Sequence, residues 1–544
     1  MRSRAVIVVA ILCGSLVTGG WLLQQGARGG GPAGYNGARL FDEVRSHVER
    51  FYVDTIQPAQ LYDKAVDGLL YELRDPHSAF LSRERLARLT ESTTGQYAGL
   101  GIQIDVRDGW ITVVAPLPGT PADRAGIQMG DRIVEIETKS TRDWTVDEAT
   151  KVLRGLPGSK VSFLVERPGV EARLPFTLER RAIHVRAVQR VTMLTPAVGY
   201  LDVNVFSDSS TYEVAMAVDS LTALGMKTLV IDLRGNPGGL LGEGVAMSDL
   251  FLDEGKAIVR TRGRTADANQ TFVDRAAQRW PTLPIVVLVN EGSASAAEIL
   301  AGALQDHDRA VLVGRTSYGK GSAQSVFPVS AGGALKLTTA LWYTPAGRSI
   351  NKPHSRSGDD DDEAGDESPP DVAEPAKREP YTTDAGRTVY GGGGITPDVI
   401  AGDTALDADA KALQQALGAL VPRFRDAIGD YAVSLKVARA ISSPDFTVTP
   451  AMREELWRRM LARKIVIDRP RYDAAAPLVS RLLTYEVARL VFGPAAEFRR
   501  IARDDKVIDQ ALRLAAGVTS QRELLDRAAA LHTSDKPAGD TLTK

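Results

Sequence analysis

Apolar residues recur at helical spacing between Ala38 and Thr93: Leu40, Val44, Val48 and Phe51, then Leu61, Ala65, Leu69, Leu70 and Leu73. Asp75-Pro76-His77-Ser78 interrupts them as a turn, so 35–94 is predicted to be a helical N-terminal segment. The period then changes. Residues 101–106 and 110–114 alternate around Arg107-Asp108-Gly109, a hairpin signal, and 133–136 and 161–165 supply further strands. With a short helix at 146–153, this predicts a small, mostly β domain over 95–183.

Beyond it, apolar runs at 199–205, 228–232, 258–261, 285–290 and 310–313 alternate with helical patterns at 211–224, 241–251 and 295–305. Alternating βα units predict an α/β layer, with the core over 184–352. Residues 353–382 carry the acidic run Asp359 to Glu363 among many Pro, Ser and Gly residues. Such a segment buries too little apolar surface to offset chain entropy and reads as a solvated, disordered loop. Residues 383–402 finish the core, and 403–544 read as a helical region, as at 412–420, 452–461, 479–491 and 508–514.

At the start of the chain, Arg2 and Arg4 precede an apolar run from Ala5 to Leu23. A positive flank before such a run is an export signal. Its length lies between a signal-peptide core and a spanning helix, and an uncleaved signal-anchor over 1–34 is preferred to a cleaved signal peptide. The anchor reading puts the rest of the chain on the periplasmic side of the inner membrane, held by the N-terminal segment; cleavage would leave it soluble in the periplasm or secreted.

Composition narrows the chemistry further. A chain of 544 residues exceeds one hydrophobic core, and a net charge of -2 gives no argument for nucleic acid. The single cysteine, Cys13, lies inside the apolar run, so no intrachain disulfide, zinc cluster or cysteine nucleophile can be built.

The strongest local signal is Asn290-Glu291-Gly292-Ser293-Ala294-Ser295-Ala296-Ala297-Glu298. A strand runs into a turn of small residues and a helix begins at once, exposing a serine hydroxyl beside free backbone N–H groups. The same residues also make an ordinary capping box, Ser295 with Glu298. A serine nucleophile needs a base. None of the six histidines is well placed; His307 ends the helix predicted to begin at Ser295, about 18 Å away. Lys320 in Gly319-Lys320-Gly321 is the alternative, although a solvated loop lysine is the plain reading of it alone. To serve as base its pKa must fall from ~10.4 to near 7, about 4–5 kcal/mol of differential stabilisation. Its neighbours Tyr318, Ser322, Ala323 and Gln324 carry no charge, which suits a neutral amine. The Gly-rich turn Asp232-Leu233-Arg234-Gly235-Asn236-Pro237-Gly238-Gly239 offers further N–H donors and lacks the spacing of a phosphate loop.

These motifs, with Leu335 to Asn351 and Gly393-Gly394-Ile395-Thr396-Pro397-Asp398 in the same order, resemble the carboxy-terminal processing (tail-specific) protease family over roughly Leu40 to Val399. The separation 320 − 295 = 25 matches that family's spacing and selects Ser295 over Ser293. The resemblance implies a crotonase-like (ClpP/crotonase-type) core, Ser295 as nucleophile, Lys320 as general base and Gln324 as its orienting partner. It also implies an oxyanion hole from Ala296 and from Gly238 or Gly239, between which it does not choose. Tyr97-Ala98-Gly99-Leu100-Gly101-Ile102 and Gly119 to Asp131 resemble a PDZ domain. Leu100, Gly101 and Ile102 would then capture a terminal carboxylate while the following strand pairs with the peptide. Arg154 lies where family members couple the peptide-loaded PDZ domain to the core. No metal or other cofactor is needed. The implied partners are proteins with free C-termini, and self-association is open. A PDZ scaffold with a dead core, or a crotonase-type enzyme acting on acyl thioesters, explains fewer of these features.

Overall fold

A computed structural model describes residues 32–330, 332–352, 378–402 and 407–534. The expectations for 1–31 and for most of the acidic loop fall outside those residues. Among the described residues no helix is long and apolar enough to cross a membrane.

The chain forms two compact units. Among the described residues the smaller joins 32–83 to 324–338. It contains the helices Pro32–Phe51 and Pro58–Tyr71 and a strand that the helical period hid, Ala79–Leu81, paired antiparallel with residues 334–336. The predicted turn before that strand is an Asx turn: Asp75 accepts from the His77 N–H at 3.0 Å and the Ser78 hydroxyl at 2.5 Å.

In the larger unit, the β domain is a sheet of order Ile102–Arg107, Trp110–Pro116, Arg132–Ile136, Lys160–Glu166, Leu174–Glu179. Its helix Val146–Leu153 begins on a Thr145 cap and matches the predicted span. Ile102–Arg107 is an edge strand: among the described residues its one strand partner is Trp110–Pro116, so its other edge carries no paired strand.

The α/β core is a six-stranded sheet of order Val191–Met193, Val198–Asp202, Thr228–Asp232, Ile285–Val289, Val311–Gly314, Val399–Ile400. The last five strands are parallel and the first is antiparallel to its neighbour. Strand side chains alternate faces, and here both faces are buried. Leu229, Ile231, Ile285 and Val287 pack under Ser210–Ala223, Leu241–Asp249 and Ala296–Asp306; Val230, Val286, Leu288 and Val313 pack under Pro494–Asp504, Lys506–Ala515 and Gln521–Ser534. The helical C-terminal region therefore supplies the second cover of the core sheet. Residues 380–382, which composition places at the end of the acidic loop, form a strand paired with Thr388–Tyr390.

The rest of the C-terminal region, from Ala408–Leu417 to Ala476–Val487, has its own apolar core, and Met129 of the β domain packs against it. The tip of the β domain's hairpin docks on this bundle. Asp108 accepts from Arg463 at 2.5 and 3.0 Å and from Arg132 at 3.3 Å, while Arg107 meets Glu486 at 3.2 Å.

Candidate active site

Strand Ile285–Val289 ends in the turn that carries Ser295, and Ser295 holds φ 54° and ψ −114°. A non-glycine residue in that region costs on the order of 1–3 kcal/mol and persists only where its surroundings enforce it. Here they do. Asn290 Oδ1 accepts from the N–H groups of Gly292 and Gly235, at 3.0 and 2.8 Å, tying this turn to the one that follows Asp232. The Ala294 N–H donates to the Asn236 carbonyl at 2.9 Å. Ser293 is fully buried, its hydroxyl donating to the Leu233 carbonyl at 2.8 Å and accepting from the Asn290 N–H at 3.0 Å. Ser293 is thus part of the scaffold, whereas Ser295 is partly exposed.

Glu298 decides where the lysine loop goes. Its carboxylate has no exposure and accepts four hydrogen bonds: Ser317 Oγ at 2.5 Å and Gly319 N–H at 2.7 Å on one oxygen, Ser295 N–H at 2.8 Å and Lys320 N–H at 2.9 Å on the other. One side of the capping box is therefore made, but the same carboxylate also grips the backbone 22 residues further on. Burial pushes this carboxyl above its ordinary range, and the four donors pull it back. All four lone-pair positions face donors, three of which are backbone N–H groups that cannot accept. The ionised form is the one that fits.

The loop is fixed from its other sides too. The Tyr318 N–H donates to the Ser293 carbonyl at 2.9 Å, the Gly321 N–H to Asn351 Oδ1 at 3.1 Å, and the Ile395 N–H to Ser317 Oγ at 2.7 Å. The backbones of Ser295 and Lys320 thus meet on one buried carboxylate. Gln324 lies in the smaller unit on Ser322–Pro328, where its Nε2 donates to Thr338 Oγ1 at 3.2 Å.

The glycines beside Ser295 have no room for a side chain. A Cβ on Gly238 (φ 92°) would lie 2.6 Å from the Ala294 carbonyl oxygen and 2.7 Å from Ser295 Cβ; on Gly239 (φ 150°) it would lie 2.1 Å from the Phe206 carbonyl oxygen. The Gly238 N–H donates to Asn236 Oδ1 at 2.7 Å. The N–H groups of Gly239 and Ala296 have no acceptor among the described residues.

Histidine is engaged elsewhere: His307 caps the far end of Ala296–Asp306 and contacts Asp384 at 2.8 Å and the Ala257 carbonyl at 2.7 Å, and His184 contacts Glu213 at 2.6 Å. Among the described residues no group of His, Cys, Asp or Glu side chains could hold a metal ion.

In the β domain, Gly101 has φ 75° and backs onto Thr120, and the N–H groups of Leu100 and Gly101 have no acceptor among the described residues. Ile102 opens the free-edged strand. Arg154 caps the helix Val146–Leu153; its guanidinium lies 4.5 Å from the Tyr97 ring centroid and pairs with Glu91. Sequence reasoning did not find the roles of Asn236 and Asn290, and it read Glu298 only as a cap. The polar side chain at Glu298, three residues past Ser295, was the only signal available.

Residues 197–357 match peptidase family S41, and residues 112–167 match a PDZ domain. The latter match begins after the loop that carries Leu100 and Gly101. A carboxy-terminal-processing protease of Bartonella bacilliformis is 38% identical over 320 residues, 58% of this chain and 73% of that protein. The carboxy-terminal processing protease CtpA of Bacillus subtilis is 35% identical over 319 residues, 58% of this chain and 68% of that protein. A solved photosystem II D1 C-terminal processing protease is 30% identical, covering 57% of this chain and 89% of that one, with a TM-score of 0.35. The protein is a PDZ-containing serine peptidase of family S41. It belongs to the carboxy-terminal processing proteases.

Proposed function

We propose that the chain is an endopeptidase with a Ser295–Lys320 catalytic pair that cuts exported proteins at or near C-termini captured by its PDZ domain. What carries the reading is the convergence on Glu298, because an activated serine and its base must share a fixed frame and one carboxylate holds both backbones. Lys320, as a neutral amine, takes the proton of the Ser295 hydroxyl while Oγ attacks the scissile carbonyl. The oxyanion is held by the N–H groups of Ala296 and Gly239; Gly239 is preferred to Gly238 because the Gly238 N–H is already given to Asn236. Lys320 returns the proton to the leaving amine, and water then releases the acyl group by the same route. Gln324 orients the lysine, and the core is read as crotonase-like. Substrate tails add as a strand along Ile102–Arg107, with the carboxylate on the free N–H groups of Leu100 and Gly101.

The test compares the soluble region with its Ser295→Ala and Lys320→Ala variants on an unfolded casein substrate. Both are expected to lose at least about 10³-fold in kcat. Full activity in either would falsify the pair. Amidating the substrate's C-terminus is expected to raise KM and leave kcat unchanged.

A further inference from the structure

The turn that carries the oxyanion donors is held from an unexpected direction. Arg234 stands two residues beyond the strand Thr228–Asp232. Its Nε lies 3.0 and 3.1 Å from the two Asp232 oxygens and its Nη2 2.7 Å from Asp232 Oδ2. Asp232 in turn accepts from the Tyr200 hydroxyl at 2.9 Å and the Arg234 N–H at 3.0 Å. That leaves the outer edge of the guanidinium, whose Nη1 donates to Asp505 Oδ2 at 2.8 Å. Asp505 is 271 residues away in the chain. It caps Lys506–Ala515, the helix that covers the second face of the core sheet, and its other oxygen accepts from the Val507 and Ile508 N–H groups at 2.8 and 3.1 Å.

The Arg234 and Asp505 side chains retain only 21% and 16% exposure. A cavity of about 590 Å³ opens beside them, lined by Asn290, Arg315 and Lys506 among others. It leaves Arg234 room to swing away if the outer contact is lost. Such a swing would act on Gly235, which hangs on Asn290, and through Asn236 on the turn that carries the Gly239 N–H.

We propose that Asp505 is a positioning residue for the oxyanion turn, so that the C-terminal helical region takes part in the catalytic step through Arg234. The proposal rests on the peptidase reading above. The test is Asp505→Asn, which removes the charge and keeps a good helix cap. Hydrolysis of the unfolded casein substrate is measured per folded molecule, with the folded fraction taken from near-ultraviolet circular dichroism. The expected result is a fall in kcat of about ten-fold or more with KM within about two-fold and peptide binding to the PDZ domain unchanged. A purely structural role would lower the folded fraction and leave kcat per folded molecule at the wild-type value; that result overturns the proposal, as does no change at all. Ser295→Ala run in parallel separates the two ideas. Wild-type hydrolysis that does not depend on Ser295 breaks the peptidase reading, whereas Ser295-dependent hydrolysis at full rate in Asp505→Asn breaks only this inference.

Discussion

Two carboxylates in the larger unit do similar mechanical work by different means. Glu298 joins the Ser295 turn to the Lys320 loop, and Asp108 joins the PDZ hairpin to the C-terminal bundle. Glu298 has no exposure and takes its bonds from three backbone N–H groups and one hydroxyl. Asp108 keeps 28% exposure and is held chiefly by the guanidiniums of Arg463 and Arg132. Backbone donors are already fixed by the fold and are not screened by salt once buried. Long cationic side chains must be ordered to reach their partner, and ions weaken the attraction. The Glu298 frame is therefore expected to be insensitive to salt, whereas the seam between PDZ domain and bundle is expected to weaken with it.

The largest effect that would break this contrast is Glu298→Gln. The amide still accepts on one side but turns two N–H groups towards donors, leaving buried groups unmet. The expected cost is about 2–4 kcal/mol of stability and a fall in kcat of about 10²-fold, read by denaturant unfolding and casein hydrolysis. Wild-type kcat in this variant would show that the carboxylate does not frame the site.

A smaller effect is expected from Arg463→Ala. Losing the main partner of Asp108 and Asp430 is expected to cost about 1–2 kcal/mol, a difference that shrinks as salt is raised to 1 M. kcat on a short peptide that does not engage the PDZ domain should stay unchanged. A salt-independent loss would mean that the seam is as rigid as the core.

The smallest effect is on pH. Hydrogen bonding from Arg463, opposed by burial, holds the Asp108 carboxyl below its ordinary range. Because the folded-state pKa is depressed, the stabilisation is fully present above the unfolded value of roughly 4 and is lost as pH falls through the folded value. Asp108→Asn should therefore differ from wild type in unfolding midpoint at neutral pH and converge with it as pH falls through the depressed folded-state pKa. A constant difference across that range would assign the effect to packing.

Much of this was legible in the chain. Thr228–Asp232 and Val146–Leu153 form where period and capping residues place them, because hydrophobic period and helix caps are local properties. The strand Ala79–Leu81 was not legible. Three residues are too few to express a period, and their pairing is with residues 334–336. The second face of the core sheet was half legible: unbroken apolar strands say that both faces are buried, not what buries the second.

The sequence by itself determined the serine turn, the glycines beside it and the lysine between glycines, since small residues at a strand-to-helix turn and positive-φ positions are set by local sterics. Only the tertiary structure decided that one carboxylate at Glu298 would hold both the serine and the lysine backbones, and that Asp505 would reach Arg234. The reason is physical. A buried charge is stable only where the fold supplies enough donors, and donors brought from 22 or 271 residues away exist only once the chain has closed around them.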